Sequence, residues 1–306
     1  MVRQIKVPPI KCQGIKTKLV QFILESISWQ DNRNGRWIEP FVGSGVVVLN
    51  VAPPSALLTD INMHVIRFYQ DIANGQLSPS NIRDFLEREG RILAHTGDNY
   101  YYEVRNRFNA KPSSLDFLFL NRSCFNGVIR FNSKGQFNVP FGKKPDRFRP
   151  AYITKIVNQV AYLARLLKIN DWTFAEADWR ETIKKARKGD FVYADPPYIG
   201  RHTDYYNKWT EKDATDLFES LKLLPCGFAL SSWKKNRYRS NPFLPSDTQE
   251  VTIRTFNHFY HVGSTEYLRN PMEEALVIKN GFESEEKEEI KIISKAAQGK
   301  LAMVFT

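Results

Sequence analysis

Cysteine is scarce: the 306 residues hold three, Cys12, Cys124 and Cys226, odd in number and far apart. That excludes a disulfide-stapled scaffold and fits a reduced, cytoplasmic setting. Long apolar runs are missing too. None approaches the roughly 18 residues of a membrane-spanning helix. The opening stretch MVRQIKVPPIK has no apolar centre, so no signal peptide is expected. Acids are the minority charge, 33 Asp plus Glu against 44 Lys plus Arg, for a net +11. With 42% apolar residues the chain can bury a sizeable core, as one large domain or two. Its charge points to a polyanionic partner, nucleic acid or an acidic surface.

The positive charge is unevenly placed. Residues 101–150 carry ten Lys and Arg, including Arg122, Arg130, Lys143 and Lys144, against only Glu103, Asp116 and Asp146. Aromatic residues interleave with them. Many of these rings must be core, but an excess confined to one segment suits a surface that tracks phosphates.

Along the chain, 36–42 (RWIEPFV) reads as a short buried strand, followed by the turn Gly43-Ser44-Gly45 and an apolar run, VVVLNV, that opens a helix. Pro53-Pro54 stops that helix. Residues 56–60 (ALLTD) read as the next strand. Strand, glycine turn, helix, strand and acid form the opening of a doubly wound α/β sheet. Helices are expected around 63–73, 80–94, 98–109, 114–121 and 150–168. The alternation in 127–141 about Ser133-Lys134-Gly135 predicts a β-hairpin. Strands resume at 172–177, 191–194, 227–233 and 274–279. A helical and hairpin segment, 63–150, thus interrupts an α/β domain made of 1–62 and 151–306. The charged stretch after Asn280 reads as a peripheral helix or a loosely held tail.

The sharpest chemical signal is Asp195-Pro196-Pro197-Tyr198, directly after the apolar strand FVYA. Two prolines cannot continue a central strand, so they turn the chain at the carboxyl edge of the sheet, where α/β ligands bind. A carboxylate, a prolyl carbonyl and a ring suit the exocyclic amine of a planar base. The two acceptors take the amine's hydrogens, the ring packs on the base, and the nitrogen lone pair is left free to attack a methyl group. The bland reading is a proline-stiffened loop.

Upstream, Glu39-Pro40-Phe41-Val42-Gly43-Ser44-Gly45 lets backbone approach a ligand. Asp60, closing the next strand, can accept both ribose hydroxyls of a nucleoside cofactor. No Gly-Lys-Ser/Thr follows, and no third glycine completes a dinucleotide fingerprint. The cofactor is therefore expected to lack a pyrophosphate.

Together these residues resemble the Dam-like, adenine-modifying DNA methyltransferases that use S-adenosylmethionine. The resemblance runs from about residue 5 to 280. It rests on PPIKCQGIKTKL (8–19), EPFVGSG (39–45), LLTDIN (57–62), FLNRSCFNGVIRFNSKGQFNVPFGKK (119–144), EADW (176–179) and DPPY (195–198). Within that family the wording of NRSCFNG, IRFNSKG, DPPYIGRH and HFYHVG is most similar to the EcoRV-type modification methylases. The resemblance implies S-adenosylmethionine as cofactor, contacted by Cys12, Lys16 (near the methionine carboxylate), Phe41, Gly43, Gly45, Asp60 (ribose), Asp178 (adenine amine), Trp179 and Asp195. It implies Asp195, Pro196, Pro197 and Tyr198 as the clamp on a flipped adenine. Lys11 and Arg130 match guanine readers, Arg130 bidentate in the major groove. Phe125-Asn126 match the pair that wedges at the vacated base step, and Arg122, Lys143 and Lys144 are counted with the DNA contacts. Two positions depart from the family pattern: Phe125 stands where Tyr is usual, and Cys12 replaces an aromatic.

The implied protein is a site-specific adenine methyltransferase with 63–150 as target-recognition domain. It acts on duplex DNA, at 5′-GAT within GATATC or else GATC. It is expected to be a monomer in the cytoplasm, away from any membrane, paired with a restriction endonuclease for the same site. No metal is expected. His258-x-x-His261 lacks further ligands at suitable spacing and reads as structural or DNA-facing. Pro225-Cys226 resembles the nucleophile of cytosine methyltransferases, but Cys226 at the entry to an apolar strand reads as a core thiol. Lys234, Lys235, Arg237 and Arg239 read as a solvated face or as phosphate contacts beside the cleft. Two rival readings stay open. One is an RNA base methyltransferase, since similar clamps serve RNA. The other is a DNA-binding regulator on an inactive methylase fold, against which the intact Asp195, Asp60 and glycines stand.

Overall fold

The computed structural model describes residues 4–14, 16–29, 34–199, 209–236, 240–244, 249–259 and 271–285. Arg237, Arg239, His261, the side chain of His258 and the tail beyond residue 285 lie outside the described residues.

Seven described strands form one sheet: β1 (Trp37–Glu39), β2 (Ser55–Asp60), β3 (Asp171–Glu176), β4 (Phe191–Ala194), β5 (Gly227–Asn236), β6 (Val251–Phe259) and β7 (Pro271–Lys279). Their order is β3-β2-β1-β4-β5-β7-β6. The first five are parallel, and β7 inserts antiparallel between β5 and β6. Strand order reverses between β1 and β4. That switch point opens a crevice at the carboxyl ends of two neighbouring strands.

Both faces of the sheet are covered, and strand alternation assigns residues to each. Trp37, Ala56, Leu58, Phe191, Tyr193, Ala229, Leu276 and Ile278 join one buried cluster. Their neighbours Ile38, Leu57, Val192, Ala194, Phe228, Leu230 and Val277 join the other. The first face is packed by α3 (Met63–Ala73) and α7 (Pro150–Ile169), the second by α8 (Trp179–Ile183) and α9 (Glu211–Lys222). The doubly wound arrangement expected from the sequence is the one observed.

Between α3 and α7 come α4 (Pro79–Thr96), α5 (Asp98–Ala110) and α6 (Ser114–Ser123). Local chemistry sets their starts. The Asn62 side chain accepts from the amides of His64 and Val65 at the head of α3. Ser78 and Asn81 form a reciprocal capping box before α4, with Pro79 in its first turn. Ser113 caps α6. The expected helices match these elements closely, and the one expected after the glycine turn is the short α2 (Val48–Val51).

Three expectations change. The hairpin over 127–141 is reduced to single bridges, Phe131 with Phe137 and Cys124 with Phe141. A short hairpin remains about the expected turn, the Asn132 amide donating to the Gln136 carbonyl and the Asn138 amide to the Arg130 carbonyl, and side chains brace it: Asn132 accepts from the amides of Lys134 and Gln136, and Asn109 from that of Phe137. The strand β6 and the helices α1 (Val20–Ser26), α8 and α9 were not expected. β5 and β7 are longer than the apolar runs that signalled them. α3 packs against β2, β3 and α7, and one buried cluster runs from Ile10 and Phe68 through Phe117 and Phe137 to Ile278.

Candidate active site

The turn after β1 is built around two left-handed glycines, Gly43 (φ +46) and Gly45 (φ +64). Only residues without a Cβ take these angles without strain. The turn is tied to β2 by Asp60, whose carboxylate accepts from the Gly43 amide (3.0 Å) and, through its other oxygen, from the Asn62 amide (2.9 Å). Burial raises the Asp60 pKa, and these backbone donors hold the rise back. Each oxygen keeps a further lone pair for a vicinal diol. Cys12 closes the turn from the N-terminal segment; its thiol is pushed up by burial and then by the Asp60 charge, so it is a packing group there, not a nucleophile.

At the switch point Asp195 follows β4. Its Oδ1 lies 2.8 Å from Lys16 Nζ, and Lys16 is 5% exposed. The same ammonium sits 4.6 Å from the centroid of the Tyr198 ring. Lys16, assigned from the family likeness to the cofactor's carboxylate, thus stands inside the clamp itself. Burial raises the Asp195 pKa, Lys16 lowers it and Glu274 raises it. Beneath them Glu39 is buried and accepts from Trp37 Nε1 at 2.8 Å. Burial, aided by the Asp195 charge, pushes its carboxyl up to about 8.

These groups share a cavity of about 240 Å³ whose wall includes Cys12, Lys16, Phe41, Gly43, Asp60, Asp178, Trp179, Asp195 and Pro197. Asp178 caps α8 by accepting from the Arg180 amide (2.8 Å). Trp179 is buried and carries the Arg180 guanidinium 4.3 Å over its ring. Arg180 is held in turn by Asp213 on α9 at 2.8 Å. An acid at each end, aromatic walls between them and a glycine backbone suit an adenosine-type ligand.

The basic segment reaches this cavity: Ile129 and Phe131 form part of its wall. Phe125 is 54% exposed at the tip of a turn in which Asn126 has φ +53, an arrangement suited to a wedge. Lys11 is joined to the segment by Asn121, which donates to its carbonyl and accepts from its amide, both at 2.8 Å. Burial, Arg147 and Arg122 lower the Lys11 ammonium to about 8. Arg130 is half-buried, its Nε donating to Asn138 Oδ1 at 2.8 Å. Lys143 and Lys144 are exposed. Arg122 corrects the expected set of DNA contacts. It is 3% exposed, donates to the Pro9 carbonyl at 3.2 Å and stacks 4.8 Å over Tyr152. It fastens the N-terminal segment and offers no surface to a phosphate. Lys234 and Lys235 pair with Glu273 at 3.1 and 3.6 Å. Cys226 is buried, as a core thiol should be.

Sequence reasoning missed Glu39, Glu274 and Trp209. Glu39 lies inside the quoted EPFVGSG, where an acid closing an apolar strand was the available signal. Glu274 opens the apolar stretch EALVIK and bonds Tyr198 (2.8 Å). Trp209 lies edge-on to Phe41 at 5.5 Å in the cavity wall, and its buried indole N–H has no partner among the described residues. No local pattern pointed to it.

Comparison with known proteins agrees with this geometry. A family model described as D12 class N6 adenine-specific DNA methyltransferase matches residues 13–262, well over half of the chain. The DNA adenine methylase of Haemophilus influenzae is 34% identical over 199 residues, covering 62% of this chain and 63% of that one. That of Serratia marcescens is 35% identical over 167 residues, covering 53% and 57%. The retron Ec67 DNA adenine methylase of Escherichia coli is 33% identical over 240 residues, covering 74% of each. The chain thus spans about three fifths of the length of the first two relatives.

Proposed function

The chain belongs to the D12 class of N6 adenine-specific DNA methyltransferases, and from that premise we propose that it methylates the exocyclic amine of an adenine in duplex DNA. The observation that carries this reading is the meeting, in one cavity, of Asp195 and Pro197 from the end of β4 with Gly43 and Asp60 from the ends of β1 and β2. The fit to S-adenosylmethionine rests on the two ends of that cavity. Asp60 takes the ribose hydroxyls, Asp178 receives the adenine amine, and Phe41, Trp179 and Trp209 flank the base. Gly43 leaves room for the chain between, while Gly45 lets the turn pack against Tyr69. When bound, the cofactor supplies a methyl group carried on a sulfonium.

The protein's own residues do the rest. The target amine is buried by base pairing, so the adenine must leave the stack. Phe125 and Asn126 fill the vacated step. Asp195 and the Pro196 carbonyl accept the two amine hydrogens, and Pro197 stiffens the turn that presents them. Tyr198 stacks on the base. The lone pair on nitrogen is thereby turned out of conjugation and toward the methyl group. Most of the acceleration comes from this positioning. Asp195 must be ionised to hold the amine, and Lys16 at 2.8 Å favours that state.

The segment 63–150 supplies target recognition, with α3 serving also as cover for the sheet. Lys11 and Arg130 read guanine, which places the adenine in 5′-GAT; the EcoRV-type wording favours GATATC over GATC. We assign the protein to the cytoplasm as a monomer, partnered by an endonuclease that cuts the same site. No described helix is long and apolar enough to cross a membrane.

The test is transfer of tritiated methyl from S-adenosylmethionine to duplex DNA and, in parallel, to ribosomal RNA. Label recovered as N6-methyladenine in DNA is expected. Label in RNA alone, or none, would overturn the reading. Methylation-sensitive long-read sequencing of DNA from a host expressing the chain then identifies the site.

A further inference from the structure

The prolines of the clamp stiffen the turn that carries Asp195, and Tyr198 closes that turn with its phenol at the far end of the ring. That end is secured from two strands away. Tyr198 Oη donates to Glu274 Oε2 at 2.8 Å. Glu274 lies on β7, opposite Trp233 of β5 and Phe256 of β6, and is 2% exposed. Its neighbours in the cavity floor include Asp195, whose ionisation its charge opposes.

We propose that Glu274 is a positioning residue for methyl transfer, acting through Tyr198 to set the ring's plane and to make its face a seat for positive charge. The inference rests on the adenine-methylation reading above. The ring face already accepts a cation: Lys16 Nζ stands 4.6 Å from its centroid. Cations are drawn to the negative face of an aromatic ring. A phenol donating to a carboxylate is more electron-rich than one donating to water. During transfer the positive charge leaves the sulfonium for the adenine amine beside that face, and the anion behind the ring stabilises it along the way. The ring's plane also sets the plane of the stacked base, where small misplacements are costly in rate.

The test is single-turnover methyl transfer to a duplex holding one target adenine, with cofactor saturating, for Glu274→Met and Glu274→Gln in the wild-type and Tyr198→Phe backgrounds. Glu274→Met should slow transfer about tenfold, and Glu274→Gln, whose amide oxygen still accepts, about threefold. The dissociation constant of S-adenosylhomocysteine should stay within twofold. In the Tyr198→Phe background neither substitution should slow transfer by more than about twofold, because the link is already cut. An equal tenfold loss in both backgrounds would overturn the proposal, as would a loss confined to cofactor affinity. If Glu274→Met does not fold by thermal melt, Tyr198→Phe decides alone: it removes only the phenol oxygen, and a rate within twofold of wild type overturns the proposal. Failure of adenine methylation itself would show separately, as no transfer by the unaltered protein.

Discussion

Lys16 Nζ lies 2.8 Å from Asp195 Oδ1, so the N-terminal segment delivers a buried cation to the carboxylate at the end of β4. The pair sets the charge state of the clamp. Burial raises the Asp195 pKa, and Lys16 is the first influence opposing that rise. Lys16→Met should therefore raise it further, moving the acid limb of kcat/KM to higher pH. Activity should fall more at pH 6.5 than at pH 8.5. Superimposable acid limbs for the two proteins would sink this account. On the proposed function Asp195→Ala should abolish transfer while leaving DNA binding by gel shift nearly unchanged, because there the carboxylate meets the amine and not the phosphates.

On the proposed function Asp60 has two duties, since its oxygens already fix the Gly43 and Asn62 amides. Asp60→Ala should raise the dissociation constant of S-adenosylhomocysteine at least tenfold by calorimetry. Loss of charge-assisted hydrogen bonds of this kind is worth roughly 1.5–3 kcal/mol. Part of the effect should come from the loosened glycine turn, so Asp60→Asn should lose less. Unchanged affinity in Asp60→Ala would place the ribose elsewhere.

The parallel strands and the long helices were legible because their signals are local. ALLTD is an apolar run ended by an acid, and Ser78 and Asn81 announce α4 by capping chemistry. DPPY and EPFVGSG were legible as turn chemistry at strand ends. What escaped depends on contacts distant in sequence. Glu274 meets Tyr198 across 76 residues, and Trp209 meets Phe41 only because β1 and β4 are neighbours. Arg122 was misjudged for the same reason. In sequence it is one of ten cations in a basic segment, and only the fold brings the Pro9 carbonyl and the Tyr152 ring to its guanidinium. The hairpin is shorter than expected because part of the alternation in 127–141 reflects Phe131, Phe137, Val139 and Phe141 reaching the core, with Asn109 and Asn132 bonding the backbone beside them.

His64 should make stability fall in mild acid. It is 9% exposed and lies against the ring of Phe131 at 4.9 Å. Burial, with the Arg67 charge, lowers its pKa to about 4. The native state therefore favours the neutral imidazole. The stabilisation is fully present above the unfolded value near 6.5 and is lost as pH falls toward 4, by at most about 3 kcal/mol. Urea melts of the wild type and of His64→Phe between pH 7.5 and 4.5 isolate this group from the carboxylates that titrate in both. The wild type should lose more stability over that range; parallel curves would show that His64 accepts its proton without penalty.

Lys11 lies across Gly127, and that contact allows base reading to be tested without removing a charge. A Cβ on Gly127 would stand 2.5 Å from Lys11 Cδ and 2.9 Å from its Cβ, at a φ of +67 that side chains resist. Gly127→Ala should therefore displace Lys11 while keeping every cation. If Lys11 reads a base, discrimination between cognate and scrambled duplexes should fall with the salt slope of binding unchanged. Arg130→Ala should cost about 1–3 kcal/mol of discrimination at one guanine. Lys143→Ala, at an exposed backbone-type position, should instead weaken all sequences alike and flatten the salt slope by about one unit. The three variants thus separate reading from anchoring. Equal loss on cognate and scrambled duplexes for Arg130→Ala would make Arg130 a phosphate contact, and the assignment of 5′-GAT would lose its main support.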